Sequence, residues 1–435
     1  MRTRGGTRCD SANGRIVMVG AAVPQNMMEA IIKADQSPQI QTHKLSWAII
    51  QGIESTGHVI DLISTAPISD YPRSDWAWCG YLRWDRANSS DNRLAPFINI
   101  LGLKQLTRWM SCVFMLLRWS MAHRGKMRHV LVYGLLSPHL YAVRCVRLLF
   151  RMTATVLITD LPGLAVAREP WWRSVWRPID RYMVHRALRE ADGLVVLTRQ
   201  IAEDCAPTVP SIVMEGIVSV ESEERAKTIV PRNARAREFT ILYAGVLARV
   251  YGIPLLLDAF AKLPGEEFRL WLCGWGDMAE DIRRQAAEDA RVCCLGVICP
   301  EEAFERCQRA TVLINPRPSD ACFARYSFPS KLLEYMAAGR PVITTRLPGI
   351  PAEYDPYVVW LDRETPDGLA ALLSELQRRP PEELDDLGER GRNFVLREKN
   401  YRRQGERIVD FIGAIQSGTT EAAVIREGID HFPRQ

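Results

Sequence analysis

The chain has 435 residues, 47% of them hydrophobic and 25% charged, with a formal net charge of +5. That length exceeds one hydrophobic core and predicts two domains, and the composition is that of a soluble globular protein, which excludes a disordered class. The charge is uneven: from Asn92 to Thr159 there is no Asp or Glu, while Arg93, Lys104, Arg108, Arg118, Arg124, Lys126, Arg128, Arg144, Arg147 and Arg151 supply ten positive charges, so the rest of the chain is net acidic. An anionic membrane surface, an anionic acceptor and a merely solvated basic face all fit this stretch. The eleven cysteines are odd in number and show no CxxC or Cys/His spacing, which points to a reducing cytoplasm and away from a zinc or disulfide framework.

In chain order, residues 1–14 are expected as a disordered N-terminus with no signal-peptide pattern. The first strand is predicted over Arg15 to Ala22, and Gly20 opens a loop that lacks a G-x-G-x-x-G fingerprint. Leu45, Ala48, Ile49 and Ile53 give Thr42 to Ser55 a helical pattern, followed by a strand over Val59 to Ile63. The segment Ala66 to Asn92 has no periodicity and reads as a long loop or lid. Ile98 to Met121 is strongly apolar, but Lys104, Arg108 and Arg118 keep it short of the roughly 18 uncharged residues a membrane span needs. It suits a helix lying on a bilayer better than one crossing it. A helix from Leu103 to Met121, a strand over His129 to Tyr133, a helix over Leu140 to Phe150 and a strand over Thr155 to Ile158 follow. Trp172, Trp176, Ile179 and Met183 then repeat at helical spacing beside Arg173, Arg177 and Arg181, as either an interfacial helix or one docked on its own domain. A further strand is predicted over Gly193 to Thr198.

The first domain is predicted as 15–222, a charged linker as 223–238, and the second domain as 239–395. A helix over 396–415 is expected to pack across the domains, with 416–435 as a tail. The second domain reads as strand Phe239 to Gly245, helix Pro254 to Lys262, strand Phe268 to Cys273, helix Glu280 to Asp289, strand Val292 to Leu295, helix Pro300 to Arg309 and strand Thr311 to Asn315. Strand and helix alternate throughout, which predicts an α/β chain of two doubly wound, Rossmann-like domains with parallel sheets covered on both faces. Ligands of such sheets sit at the carboxyl ends of the strands, so a cleft between two such domains is the expected site.

One stretch is bracketed with unusual clarity: Arg325-Tyr326-Ser327-Phe328-Pro329-Ser330-Lys331-Leu332-Leu333-Glu334, then Tyr335 to Gly339 and Arg340-Pro341. Ser327 is expected to cap a helix of about three turns, Pro329 to sit in its first turn and Gly339 to end it. Leu332, Leu333 and Met336 fall on an inward face, with Lys331 and Glu334 on another. Lys331 in the first turns opposes the helix dipole unless an anion sits nearby, so a phosphate at the helix tip is predicted; an ordinary surface pair with Glu334 is the alternative.

Leu242-Tyr243-Ala244-Gly245, Tyr251-Gly252, Cys273-Gly274-Trp275-Gly276 and the stretch from Ser327 to Ile343 together resemble the C-terminal domain of glycosyltransferase family 4, retaining enzymes of GT-B fold. The resemblance is dense from Phe239 to Tyr354 and loose before it. It implies a nucleotide-diphosphate sugar donor on the second domain and a saccharide or lipid-linked saccharide acceptor on the first, with no cofactor, no metal and no nucleic acid. It implies donor contacts from Gly20, Gly245, Arg249, Gly274, Trp275, Arg325, Tyr326, Ser327, Phe328, Pro329, Ser330, Lys331 and Glu334, with Glu334 on the ribose. The family's first glutamate is replaced by Tyr326, and its two pyrophosphate cations by Val246 and Tyr251. Substitute cations are therefore expected, ranked Lys331, Arg325, Arg249. Asp160 matches a family aspartate and is expected, with Lys331 and Glu334, in the catalytic set; a turn-capping role is the alternative. His43, at the start of a helix, is a candidate acceptor contact, with a structural role as the alternative. The implied function is a cytoplasmic glycosyltransferase, peripheral on the inner membrane face. A non-catalytic nucleotide-sugar-binding partner or a sugar-nucleotide epimerase of the same fold are its rivals.

Overall fold

The computed structural model describes residues 14–159, 171–228, 230–231, 236–321 and 323–419. The chain divides into two compact units, the first formed by residues up to Val196, Ala202–Ile212 and everything from Gly405, the second by Leu197–Ile201 and Val213–Gln404.

The first unit begins with β1 (Gly14–Gly20), α1 (Gln25–Ala34), α2 (Ile40–Ser55) and β2 (Ile60–Ser64). β3 (Trp78–Cys79), β4 (Leu82–Arg86), β5 (Ser89–Leu94) and β6 (Phe97–Ile98) come next, then α3 (Leu103–Ala122), β7 (Met127–Tyr133), α4 (Ser137–Arg147), β8 (Thr153–Ile158), α5 (Trp171–Arg189), β9 (Gly193–Val196), α6 (Arg199–Cys205) and β10 (Ser211–Val213). Its eight-stranded sheet runs β10-β9-β8-β7-β1-β2-β5-β4. The central strands are parallel: Val17 sits beside Asp61 on one side and Val130 on the other. They are nearly continuous runs of buried apolar residues, as a sheet covered on both faces requires. The buried Asp61 carboxylate is satisfied by Ser89 Oγ at 2.7 Å and Trp119 Nε1 at 2.8 Å.

The segment expected as a free loop or lid is instead folded. β3 and β6 pair antiparallel, and β4 and β5 form an antiparallel hairpin on the sheet edge. Side chains from outside the segment hold its backbone: Asn99 Nδ2 donates to Ser69 O and Trp76 O, Lys104 Nζ to Ile68 O, and Arg108 to Ala66 O. Strands of two residues leave no alternation to read, which is why the sequence looked aperiodic. Helix α1 also escaped sequence reading; no side chain caps it, and the Pro24 carbonyl takes the Met27 and Met28 N–H groups instead.

The second unit contains α7 (Val220–Lys227), β11 (Phe239–Val246), α8 (Ile253–Ala261), β12 (Phe268–Trp275), α9 (Ala279–Glu288), β13 (Val292–Gly296), α10 (Pro300–Arg309), β14 (Val312–Asn315), α11 (Ser330–Ala337), β15 (Val342–Thr344), β16 (Val359–Trp360), α12 (Pro366–Arg378) and α13 (Pro381–Glu398). Its sheet is wholly parallel in the order β13-β12-β11-β14-β15-β16. Part of the stretch expected as linker is helix α7, capped by the Ser219 hydroxyl on Ser222 N–H. The helix expected over 396–415 is broken at Lys399-Asn400, where α13 ends and α14 (Tyr401–Ser417) begins. Residues 1–13 and 420–435, expected as a disordered start and a tail, lie outside the described residues.

Candidate functional site

In the second sheet the chain runs outward from β11 through β12 to β13, then returns to β14 on the other side of β11. That reversal marks a topological switch point, the place where open α/β sheets take ligands. The pairing of β11 with β14 stops at Leu242 and Leu313. Just beyond, the buried phenol of Tyr335 on α11 takes over the vacated ladder: Ala244 N–H donates to it at 2.7 Å, and it donates to Ala244 O at 3.0 Å. Burial pushes its pKa well up, so the hydroxyl keeps the proton it needs for both bonds.

Two glycines let backbones close around this edge. Gly252 has φ +81°, and a Cβ there would lie 1.8 Å from Pro316 O; Gly274 has φ +135°, and a Cβ would lie 1.8 Å from Gly245 O. No L side chain is tolerated at either place. Gly245 and Gly274 are register partners on β11 and β12, and Trp275 beside them is 66% exposed.

Arg317 follows β14 at the same edge. Its Nη1 donates to Ser327 Oγ at 2.6 Å, and its guanidinium carbon lies 4.8 Å from the Tyr251 ring centroid and 5.6 Å from that of Phe323. Those two rings meet edge to face at 6.1 Å. The Nε is buried with no hydrogen-bond partner, and among the described residues no carboxylate pairs with this guanidinium. Burial lowers its pKa, opposed by the Tyr251 and Tyr243 hydroxyls, yet an arginine stays charged. An unpaired cation is thus held by aromatic faces at a strand-end switch point, an arrangement that suits an incoming anion. Sequence reading did not single out Arg317.

The other expected cations are already occupied. Lys331 Nζ donates to Glu334 Oε2 at 2.7 Å as a half-exposed pair, and Arg249 pairs with Asp281 at 2.9 Å. Arg325 stacks over Tyr326 at 5.7 Å. Ser327 does not cap the helix: α11 starts after Pro329 with no side-chain cap, because the Ser327 hydroxyl is spent on Arg317. The helix is also shorter than expected, eight residues, and Gly339 follows it at φ +75°. Leu332, Leu333 and Met336 face inward as expected. Phe328 is 4% exposed and packs on Tyr354 at 5.6 Å, so it belongs to the core beneath the site and offers a donor no surface. Pro329 is likewise buried, whereas Ser330 at the helix tip is exposed.

Three expected site residues lie in the first unit's sequence. Gly20 ends β1, where a Cβ would come within 2.9 Å of Tyr133 Cβ. His43 is buried on α2, its Nε2 2.9 Å from Val23 O and 3.0 Å from Trp47 Nε1. It fastens α2 to the loop after β1 and has no open face for an acceptor, and burial lowers its pKa. Asp160 lies outside the described residues.

Residues 238–378 match the family model described as glycosyl transferases group 1. No curated protein sequence matches the chain. Among solved structures it is similar to sucrose-phosphate synthase from Thermosynechococcus elongatus, at 15% identity over 93% of this chain and 100% of that one, with a TM-score of 0.57. The apo form of the lipopolysaccharide outer core galactosyltransferase WaaB gives 17% identity over 93% and 99%, with a TM-score of 0.58. HepE from Anabaena, solved with UDP-glucose, gives 11% over 92% and 99%, with a TM-score of 0.54. At such identities the likeness is one of architecture: the chain has the GT-B fold of two Rossmann-like domains.

Proposed function

We propose that the chain is a retaining glycosyltransferase of family 4 type that moves a sugar from a UDP- or GDP-linked donor to a lipid-linked or growing saccharide, working in the cytoplasm at the inner membrane face. The observation that carries this reading is the unpaired Arg317 at the switch point of the unit that matches the group 1 family. In the transfer, the bond from the sugar C1 to the diphosphate oxygen breaks as the bond from C1 to the acceptor oxygen forms on the same face, and the acceptor proton passes to the leaving phosphate. The charge that develops on the diphosphate needs a preorganised cation in place of the ones missing at Val246 and Tyr251. Arg317 fills that need, helped by the N-terminal backbone of α11. On binding, Glu334 turns to the ribose hydroxyls and Lys331, released from it, turns to the phosphate. Gly245, Gly274 and Trp275 form the bed of the donor, Tyr326 stands where the sugar hydroxyls are read, and Asp160 serves the sugar or acceptor hydroxyl.

Thermal-shift screening against UDP, GDP, ADP and their sugars tests the donor half, since a ligand at about 100 times its dissociation constant stabilises by about 2.7 kcal/mol. Labelled nucleotide sugars then test transfer. The three departures at Val246, Tyr251 and Tyr326 favour one rival, a non-catalytic binding partner, and a donor that binds without transfer or hydrolysis would establish it.

A further inference from the structure

Helix α3 is apolar on two sides. Lys104, Arg108, Cys112, Met115, Leu116 and Trp119 are buried, while Leu103, Leu106, Met110, Phe114 and Met121 form an exposed stripe, Phe114 at 65%. A helix fully paid in burial on one side has no folding reason for a second apolar stripe. Arg124 and Arg128 lie over the Phe150 ring at 5.7 and 5.3 Å, tying the turn after α3 to the turn after α4, where Leu148 and Leu149 are 83% and 71% exposed. On its other flank the stripe meets a cavity of about 470 Å³ whose walls include Tyr81, Pro96, Met110 and Phe114 together with Arg93 and Arg118.

No carboxylate lies in α3 or in the chain that follows it to Thr159. Of the ten cations in the acid-free stretch, Lys104 and Arg108 are buried and Arg93, Arg144 and Arg147 pair with carboxylates. Arg118, Arg124, Lys126 and Arg151 are exposed, and among the described residues none meets a carboxylate. No helix among the described residues is long and apolar enough to cross a membrane. We propose that this face of the first unit seats the chain on an anionic lipid leaflet, with α3 lying in the headgroup layer and the apolar stripe turned toward the acyl chains. Apolar side chains ringed by long cationic ones match a bilayer interface, where stems lie in the apolar zone and heads reach phosphates. The cavity, apolar with the carboxylate-free guanidinium of Arg118 in its wall, suits a lipid phosphate and the start of its chain. This inference deepens the membrane part of the reading above and is independent of its donor chemistry.

The test is sedimentation of the full chain with vesicles of phosphatidylcholine alone and of phosphatidylcholine mixed with phosphatidylglycerol. The chain is expected to follow the mixed vesicles only, and to be released by raised salt. Each cation near an anionic surface contributes about fivefold in binding, so the triple variant Arg118→Glu/Arg124→Glu/Lys126→Glu should weaken it on the order of a hundredfold or more. Met110→Asp/Phe114→Asp should abolish it. If that double variant does not fold by circular dichroism, the triple variant decides alone. Equal binding to neutral vesicles, no binding to either, or a dimer of the native chain that the double variant splits without any vesicle binding would each overturn the proposal. Diphosphate thermal shifts are read in parallel: their failure alongside intact vesicle binding sinks the donor reading and leaves this one standing.

Discussion

Arg317 and Lys331 carry the same charge and meet different surroundings. Lys331 is neutralised one turn along its own helix, whereas Arg317 has aromatic faces, one hydroxyl and a buried Nε with nothing to bond. Replacing it by methionine keeps the stem and removes the charge. Arg317→Met is expected to weaken UDP or GDP binding by about 3 kcal/mol, on the order of a hundredfold. The unfolding midpoint of the free chain should stay level or rise, since the variant no longer buries an unpaired charge. Calorimetric titration and a thermal melt read the two effects separately, and a lower midpoint with unchanged affinity would make Arg317 a structural residue. Nothing local in Asn315-Pro316-Arg317-Pro318 announces this role. Its surroundings come from Tyr251, Phe323 and Ser327, which only the folded chain assembles. The lysine, by contrast, stood out because it broke a helix-dipole rule, and its glutamate partner three residues on was readable from helical spacing.

At the level of elements, the strands that build the two sheets were legible because buried parallel strands are unbroken apolar runs closed by glycine or polar residues, as in Phe239 to Gly245 and Thr311 to Asn315. What periodicity cannot show is where two strands part. β11 and β14 separate above Leu242, and a side chain from α11 completes the hydrogen bonding there. Tyr335→Phe keeps the ring and strands both backbone groups of Ala244 in a buried place. The expected cost is about 2 kcal/mol in stability, with faster amide exchange at Ala244 and its neighbours and weaker diphosphate binding, because α11 loses its anchor to the strand end. Denaturant titration and hydrogen exchange measure the first two. A midpoint equal to that of the native chain would show that water replaces the phenol without penalty. The folded segment between β2 and α3 taught the complementary lesson: strands of two to six residues, after a stretch of backbone pinned by Asn99, Lys104 and Arg108, leave no pattern in the segment's own sequence.

Across the whole molecule, two alternating β/α halves were foreseeable from chain length and pattern, whereas sequence pattern carries no mark of the places where the chain passes between the units, after Val196, Ile201, Ile212 and Gln404. The division has an electrostatic consequence. His129 and His139 are both fully buried, and burial, with Arg147 near the first and Arg108 near the second, holds each down to about 3 against an unfolded value of 6.5. Because the folded values are lowered, the stability they confer is complete above about pH 6.5 and is lost as pH falls toward 3: the unfolded chain takes up protons that the folded chain refuses, at about 1.4 kcal/mol per pH unit for each histidine. Among the described residues every histidine falls in the first unit, and the second has none. Protons in the mildly acidic range therefore act on one half alone. Scanning calorimetry from pH 7 to about pH 5 should show the first unit's transition moving down while the second's stays, and a uniform shift of both would refute this. Acid thus becomes a selective lever: by pH 5 these two histidines together take about 4 kcal/mol from the first unit, while the histidine-free unit loses nothing to imidazole protonation.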